Sequence, residues 1–289
     1  MNLKVVLVSE LLASAVARSL RTRSHEGLPS DRCTLEGVVF LPIPGEDLEE
    51  DFKYECAGSN GVGGPLIMNK EQRISLDAMV GSGAVELGVD QIDIYGAQKS
   101  GNKIILPNGS INTRKADGGT RKLTSVTGKK PVLAVKVIDK NGLQRREDLA
   151  TISQEIFGGS DDVVNLKSQL FGCSFGALEV TTDYSDFATD LQMQKIKQYV
   201  TDAAPGVMEV TIDVDITKTD MSTIHTAVTD KVQTLLELSL PAGPFEHVMY
   251  VVEKCYVGFC SWAAFAFVNH WLTVYQEDNY NKPGVQLHE

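Results

Sequence analysis

The chain predicts an α+β protein, with a β-rich first half followed by strands and helices in layers. Three observations carry that expectation. Residues 18–126 hold short apolar runs broken by Gly, Pro, Asn and Asp, without strong helical periodicity. From Pro131 onward, strand-like runs alternate with helical ones. Between the two lies a basic stretch, Arg114, Lys115, Arg121, Lys122, Lys129 and Lys130, set among Gly, Thr and Ser.

In the first half, Gly37 to Leu41 is an apolar strand running into Pro42, and Pro44-Gly45 marks a turn. An acidic cluster follows at Glu46, Asp47, Glu49, Glu50 and Asp51. Ile104-Ile105-Leu106 and Ser110-Ile111 flank Pro107-Asn108-Gly109, which predicts a strand pair around a turn. The basic stretch predicts an exposed linker and processing loop. Its cations lack the interleaved aromatic residues that a single-stranded nucleic-acid platform needs.

In the second half, Val132 to Ile138 is a compact buried-strand run closed by Asp139-Lys140-Asn141-Gly142. Asp148 to Phe157 predicts a short helix ended by Gly158-Gly159. Met208 to Ile216 alternates apolar and polar residues, the pattern of a half-buried strand. Asp220 then caps a helix with Met221, Ile224, Val228, Val232 and Leu236 on one face, stopped by Leu240 to Pro244. Val248 to Val252 is another strand, and Ala263 to Val274 suits either a strand or a helix. After Pro283-Gly284, Val285 to Glu289 opens a new helix.

Composition narrows the function. The chain has 289 residues, 43 % apolar and 22 % charged, with a net charge of -11. That is enough for about two domains. An acidic chain is a poor partner for nucleic acid or anionic lipid, because phosphate contacts require clustered Lys and Arg. No apolar run reaches membrane-spanning length; Tyr250 to Trp271 comes nearest but contains Glu253, Lys254, Asn269 and His270. Lys4, the apolar stretch Val5 to Ala17 (interrupted by Glu10) and Ala15-Val16-Ala17 predict a signal peptide over residues 1–17, and hence secretion. The sequon Asn108-Gly109-Ser110 agrees with that route. Cys33, Cys56, Cys173, Cys255 and Cys260 are candidates for disulfides in an oxidising compartment. Their odd number leaves one thiol free or paired outside this sequence. Cys33 and Cys56 suit a bridge within the first half, while Cys255 and Cys260 suit one together or with Cys173.

The sequence ends in His288-Glu289. On a helix, two His four residues apart hold one Zn²⁺, and the Glu after the first reaches the metal-bound water as a base. The dipeptide alone is only the first half of such a motif.

Several blocks give it context. Thr127 to Val137, Val164 to Gln169, Cys173-Ser174-Phe175-Gly176, Ala264-Phe265-Ala266-Phe267, Asn269-His270-Trp271, Val274-Tyr275-Gln276 and Gly284-Val285-Gln286-Leu287-His288-Glu289 stand in order. Over residues 125–289 this series resembles the gametolysin-like secreted zinc metallopeptidases, a metzincin group. The resemblance implies a propeptide-like β-rich domain over residues 18–126. It implies that residues 127–289 are the incomplete N-terminal subdomain of a metzincin-type catalytic domain, a mixed sheet with helices. It makes His288 a Zn²⁺ ligand and Glu289 the general base, acting on protein or glycoprotein substrates of extracellular matrix or cell wall. The family's second and third His ligands are absent from this sequence, so the resemblance implies an inactive chain as it stands. The alternative is a non-catalytic secreted relative that serves as a binding module. His225, His247 and His270 are expected to be structural, and Trp262 and Trp271 to belong to the core.

Overall fold

The computed structural model describes residues 32–42, 52–57, 63–115, 127–159, 164–253, 262–268, 270–282 and 285–286. Its spine is a set of parallel strands in the order β10 (Val207–Thr211), β8 (Gly128–Ile138), β11 (His247–Val252) and β13 (Leu272–Gln276). β12 (Trp262–Phe267) adds antiparallel to β13, and β9 (Leu178–Thr181) pairs with the first residues of β8. A mixed sheet of this kind is what the second half predicts.

From Pro131 to Ile138 β8 is apolar except for Lys136, because both its faces are covered there. Val132 and Ala134 pack with Ile152 and Ile156 of α2 (Leu149–Phe157) and Leu166 of α3 (Leu166–Cys173). The alternate residues Leu133, Val135 and Val137 meet Ile196 of α4 (Asp190–Tyr199) and Val228, Val232 and Leu236 of α5 (Met221–Leu236). Strand alternation sends successive side chains to the two helical layers. Asp148 caps α2 by accepting from the Thr151 N–H at 2.7 Å, and Asp220, as expected from the sequence, caps α5 by accepting from the Thr223 N–H at 3.0 Å.

The first half extends the same sheet. β1 (Arg32–Pro42) pairs antiparallel with β12 on one side, with Val38 opposite Phe267 and Phe40 opposite Phe265. On its other side lies β2 (Phe52–Ala57), followed by β3 (Gly64–Ile67), β6 (Lys103–Ile105) and β5 (Gln98–Ser100). β4 (Gln91–Asp93) joins β1 to β7 (Thr113–Arg114). A separate core of Leu35, Tyr54, Leu76, Ile92, Ile94 and Ile104 lies here. Cys33 and Cys56 form a disulfide between β1 and β2.

Three local expectations change. The first half contains a helix, α1 (Lys70–Gly81), where periodicity predicts none. It buries only Gln72 and Leu76, too few to show a stripe, and is opened instead by a capping box between Asn69 and Gln72. The strand pair around Pro107 is absent. β6 pairs instead with β5 and β3, and the Gln72 amide takes the Pro107 and Gly109 carbonyls at 2.7 and 3.1 Å. The strand expected over Met208 to Ile216 ends at Thr211, and Asp215 then turns the chain by accepting from the Thr217 N–H and hydroxyl at 3.1 and 2.6 Å. Ala263 to Val274, open between helix and strand, is β12 and the start of β13.

Candidate site at the carboxyl edge of the sheet

β8, β11 and β13 are parallel and end on a common edge. From β8 the chain crosses to β10 on one side, and from β11 it moves to β12 and β13 on the other. The direction therefore reverses between β8 and β11, the position at which open α/β sheets form a crevice beyond their strand ends.

A buried ionic cluster fills this position. Arg145, in the loop after β8, is only 8 % exposed. Its guanidinium lies 2.9 Å from Glu147 and 3.3 Å from Glu253, the residue after β11. After β13, a 3₁₀ turn (Glu277–Asn281) carries Tyr280, whose hydroxyl donates to Glu155 on α2. Burial, then that bond to Glu155, pushes the Tyr280 hydroxyl far above its ordinary range. Gln276 donates to the Trp262 carbonyl at 2.8 Å, and Asn279 to the Gln276 carbonyl at 2.8 Å. The Gln276 side chain thus ties the end of β13 to the start of β12, while the β11–β13 ladder itself runs to Val252 and Gln276.

The end of the chain comes back to this cluster. Val285 and Gln286 begin a helical turn whose N–H groups reach the Lys282 carbonyl at 2.9 and 3.0 Å. Gln286 is buried and donates from its amide to the Tyr280 carbonyl, and Val285 packs on the core beneath α2. His288 and Glu289 follow directly and lie outside the described residues, as do Cys255, Cys260, the signal region 1–17 and most of the basic linker. Arg145 pairs with both carboxylates, although its Nε and Glu147 Oε2 are buried without hydrogen-bond partners, so the cluster ties the loop after β8 to the end of β11. No sequence signal marked these residues, because they come from segments far apart in the chain.

The remaining histidines are dispersed. His225 on α5 stands edge-on to Phe267 at 5.3 Å, in an apolar pocket lined also by Ile216, Met221, Trp262 and Phe265. Its Nε2 is buried without a hydrogen-bond partner, and burial pulls its pKa down to about 4. His247 meets the Thr273 hydroxyl at 2.9 Å and is likewise held down at about 4 by burial. His270 stacks between Phe267 and Trp271, each ring 5.1 Å away, and its Nε2 is 3.9 Å from Glu36. Trp262 is buried, and Trp271 packs against the same core. Cys173 carries a free, exposed thiol at the end of α3. Among the described residues no three His, Cys, Asp or Glu side chains converge to hold a metal ion, so these residues alone do not fit zinc. Nor is any described helix long and apolar enough to cross a membrane.

No family model, curated protein or solved structure matches the chain.

Proposed function

We propose that the chain forms the propeptide-like unit and the first part of the catalytic domain of a secreted, gametolysin-type zinc metalloendopeptidase acting on extracellular-matrix or cell-wall proteins. The observation that carries this reading is the helical turn at Val285 and Gln286. It is anchored at the carboxyl edge of the sheet immediately ahead of His288-Glu289. A zinc-binding helix has to be held rigidly at its start, since ligand geometry tolerates little error. The mixed sheet with helices on both faces agrees with the expected subdomain. The Cys33–Cys56 disulfide is consistent with an extracellular protein.

On this reading His288 is one zinc ligand and Glu289 the base. The resemblance calls for two further His ligands beyond this first one. The test is to express the product of the reading frame through and past Glu289, then measure bound zinc and casein cleavage. One zinc per chain is expected, with hydrolysis abolished and zinc retained in Glu289→Gln. A longer product that binds no zinc, or a Glu289→Gln protein that still cleaves casein, overturns the reading. A stop codon directly after Glu289, in a folded protein without zinc, favours a non-catalytic binding module.

A further inference from the structure

Along β1, Glu36 shares a face with Val38 and Phe40, which pack into the core beneath α5. Directly across the β1–β2 ladder from Glu36 stands Glu55. Two carboxylates opposed in this way repel when both are charged. Glu55 is 4 % exposed, and its Oε1 is buried without a hydrogen-bond partner. A buried ionised carboxylate normally secures partners for its oxygens, whereas a protonated one needs fewer.

The groups around the pair do not neutralise it. Asp220, the N-cap of α5, adds a second negative charge near Glu55. Burial works to raise Asp220, but its bonds to Thr223 and Asn102 hold it below its ordinary range. Lys53 on β2 is the cation acting on Glu55, yet its Nζ sits over the Phe40 ring at 5.1 Å. His270, between β12 and β13, approaches Glu36 at 3.9 Å. His225 on α5 is close enough to Asp220 to feel its charge and stays neutral above about pH 4.

We propose that Glu36 and Glu55 form a proton-operated latch that holds the first-half sheet against α5, closed while the pair keeps a proton and loosened once both carboxyls ionise. The site of opening follows from the disulfide. Cys56 adjoins Glu55 and is bonded to Cys33, so β1 and β2 cannot part to relieve the repulsion. What can give way is the packing of Val38 and Phe40 beneath α5, together with the β1–β12 ladder. The sign is set by burial, which pushes both carboxyls up to about 7; for Glu55 the charges of Glu36 and Asp220 add to it and Lys53 opposes. An acid whose pKa is raised in the folded state binds more protons there than when released. The docked state is therefore favoured below about pH 4.5 and loses that support as pH rises through about 7. The latch is independent of the peptidase reading.

Amide hydrogen exchange of β1 and of the first turn of α5 tests it, corrected for intrinsic rates and followed from about pH 5 to about pH 8. Protection is expected to fall with rising pH, by up to about tenfold per pH unit for each carboxyl. The fall should vanish in Glu36→Gln/Glu55→Gln. An infrared band of protonated carboxyl should be present in the wild-type protein near pH 5.5, a value about midway in that window, weakened in Glu55→Gln and lost in Glu36→Gln/Glu55→Gln. An unchanged pH slope in the double variant, or a wild-type protein with no protonated carboxyl at that pH, sinks the proposal. The infrared measurement needs no variant to decide against it.

Discussion

Arg145 offers the sharpest test of how the carboxyl edge is held. Replacing it with Met keeps the aliphatic stem and removes the charge. Glu147 and Glu253 then lose their common partner while their side chains remain only 23 % and 18 % exposed. Stripping one member from a fully buried ion pair costs about 3–5 kcal/mol, because the charge left behind is unsolvated. Here a residual fifth of each carboxylate's surface lets water recover part of that, so about 2–4 kcal/mol is expected. With a urea slope of about 3 kcal/mol per molar for a chain of this size, the unfolding midpoint should fall by roughly 1 M. The partner experiment separates charge from packing. Glu147→Gln and Glu253→Gln added to Arg145→Met remove the stranded charges, and most of the loss should return. If Arg145→Met alone unfolds within about 0.5 kcal/mol of the wild type, the range of an ordinary surface substitution, the cluster is not buried in the energetic sense argued here. The same conclusion follows if the triple variant is no better than the single one.

Two more outcomes follow. Cys33→Ala/Cys56→Ala opens a loop with a sequence separation of 23 residues; chain-entropy reasoning gives a loss of about 3 kcal/mol, read from urea unfolding of the variant against the oxidised protein. His225 and His247, both depressed by burial, should show neutral imidazole resonances by NMR until the pH falls towards about 4. A depressed base stabilises the fold above its ordinary pKa and is lost as pH drops through the lowered one, so these residues weaken the protein on acidification. That is the opposite slope to the one expected from Glu36 and Glu55. An imidazole titrating at its ordinary value would contradict the packing described.

How much of this was legible beforehand depended on the kind of force involved. α5 shows in the sequence because Ile224, Val228, Val232 and Leu236 all face one core and repeat at helical spacing. β8 shows because burial on both sides leaves a run from Val132 to Ile138 that is apolar but for Lys136. α1, α3 and α4 bury one or two residues each and leave no such stripe. Their signature is at the ends: Asn69 with Gln72, Asn165 with Ser168, and Thr189 with Gln192 each close a capping box. Reading those boxes would have found helices that periodicity missed. The Arg145 cluster and the Glu36–Glu55 pair were invisible for another reason. Each depends on the register between distant segments, which no local pattern encodes.

The pairing of β1 with β12 also sets an order of events during synthesis. β1 leaves the ribosome early, whereas Trp262 to Phe267 are nearly the last described residues to appear. Until then one edge of a long apolar strand has no permanent partner, and unpaired edges of this kind recruit other chains. The register slips between Leu41 and Pro42, and the proline offers no N–H at the end of the ladder. Those two features shorten the stretch open to a wrong partner. Closing a pairing across most of the chain is also a slow step. The nascent protein should therefore spend a measurable time with its front sheet formed and its back sheet waiting, and in that interval it should depend most on chaperones.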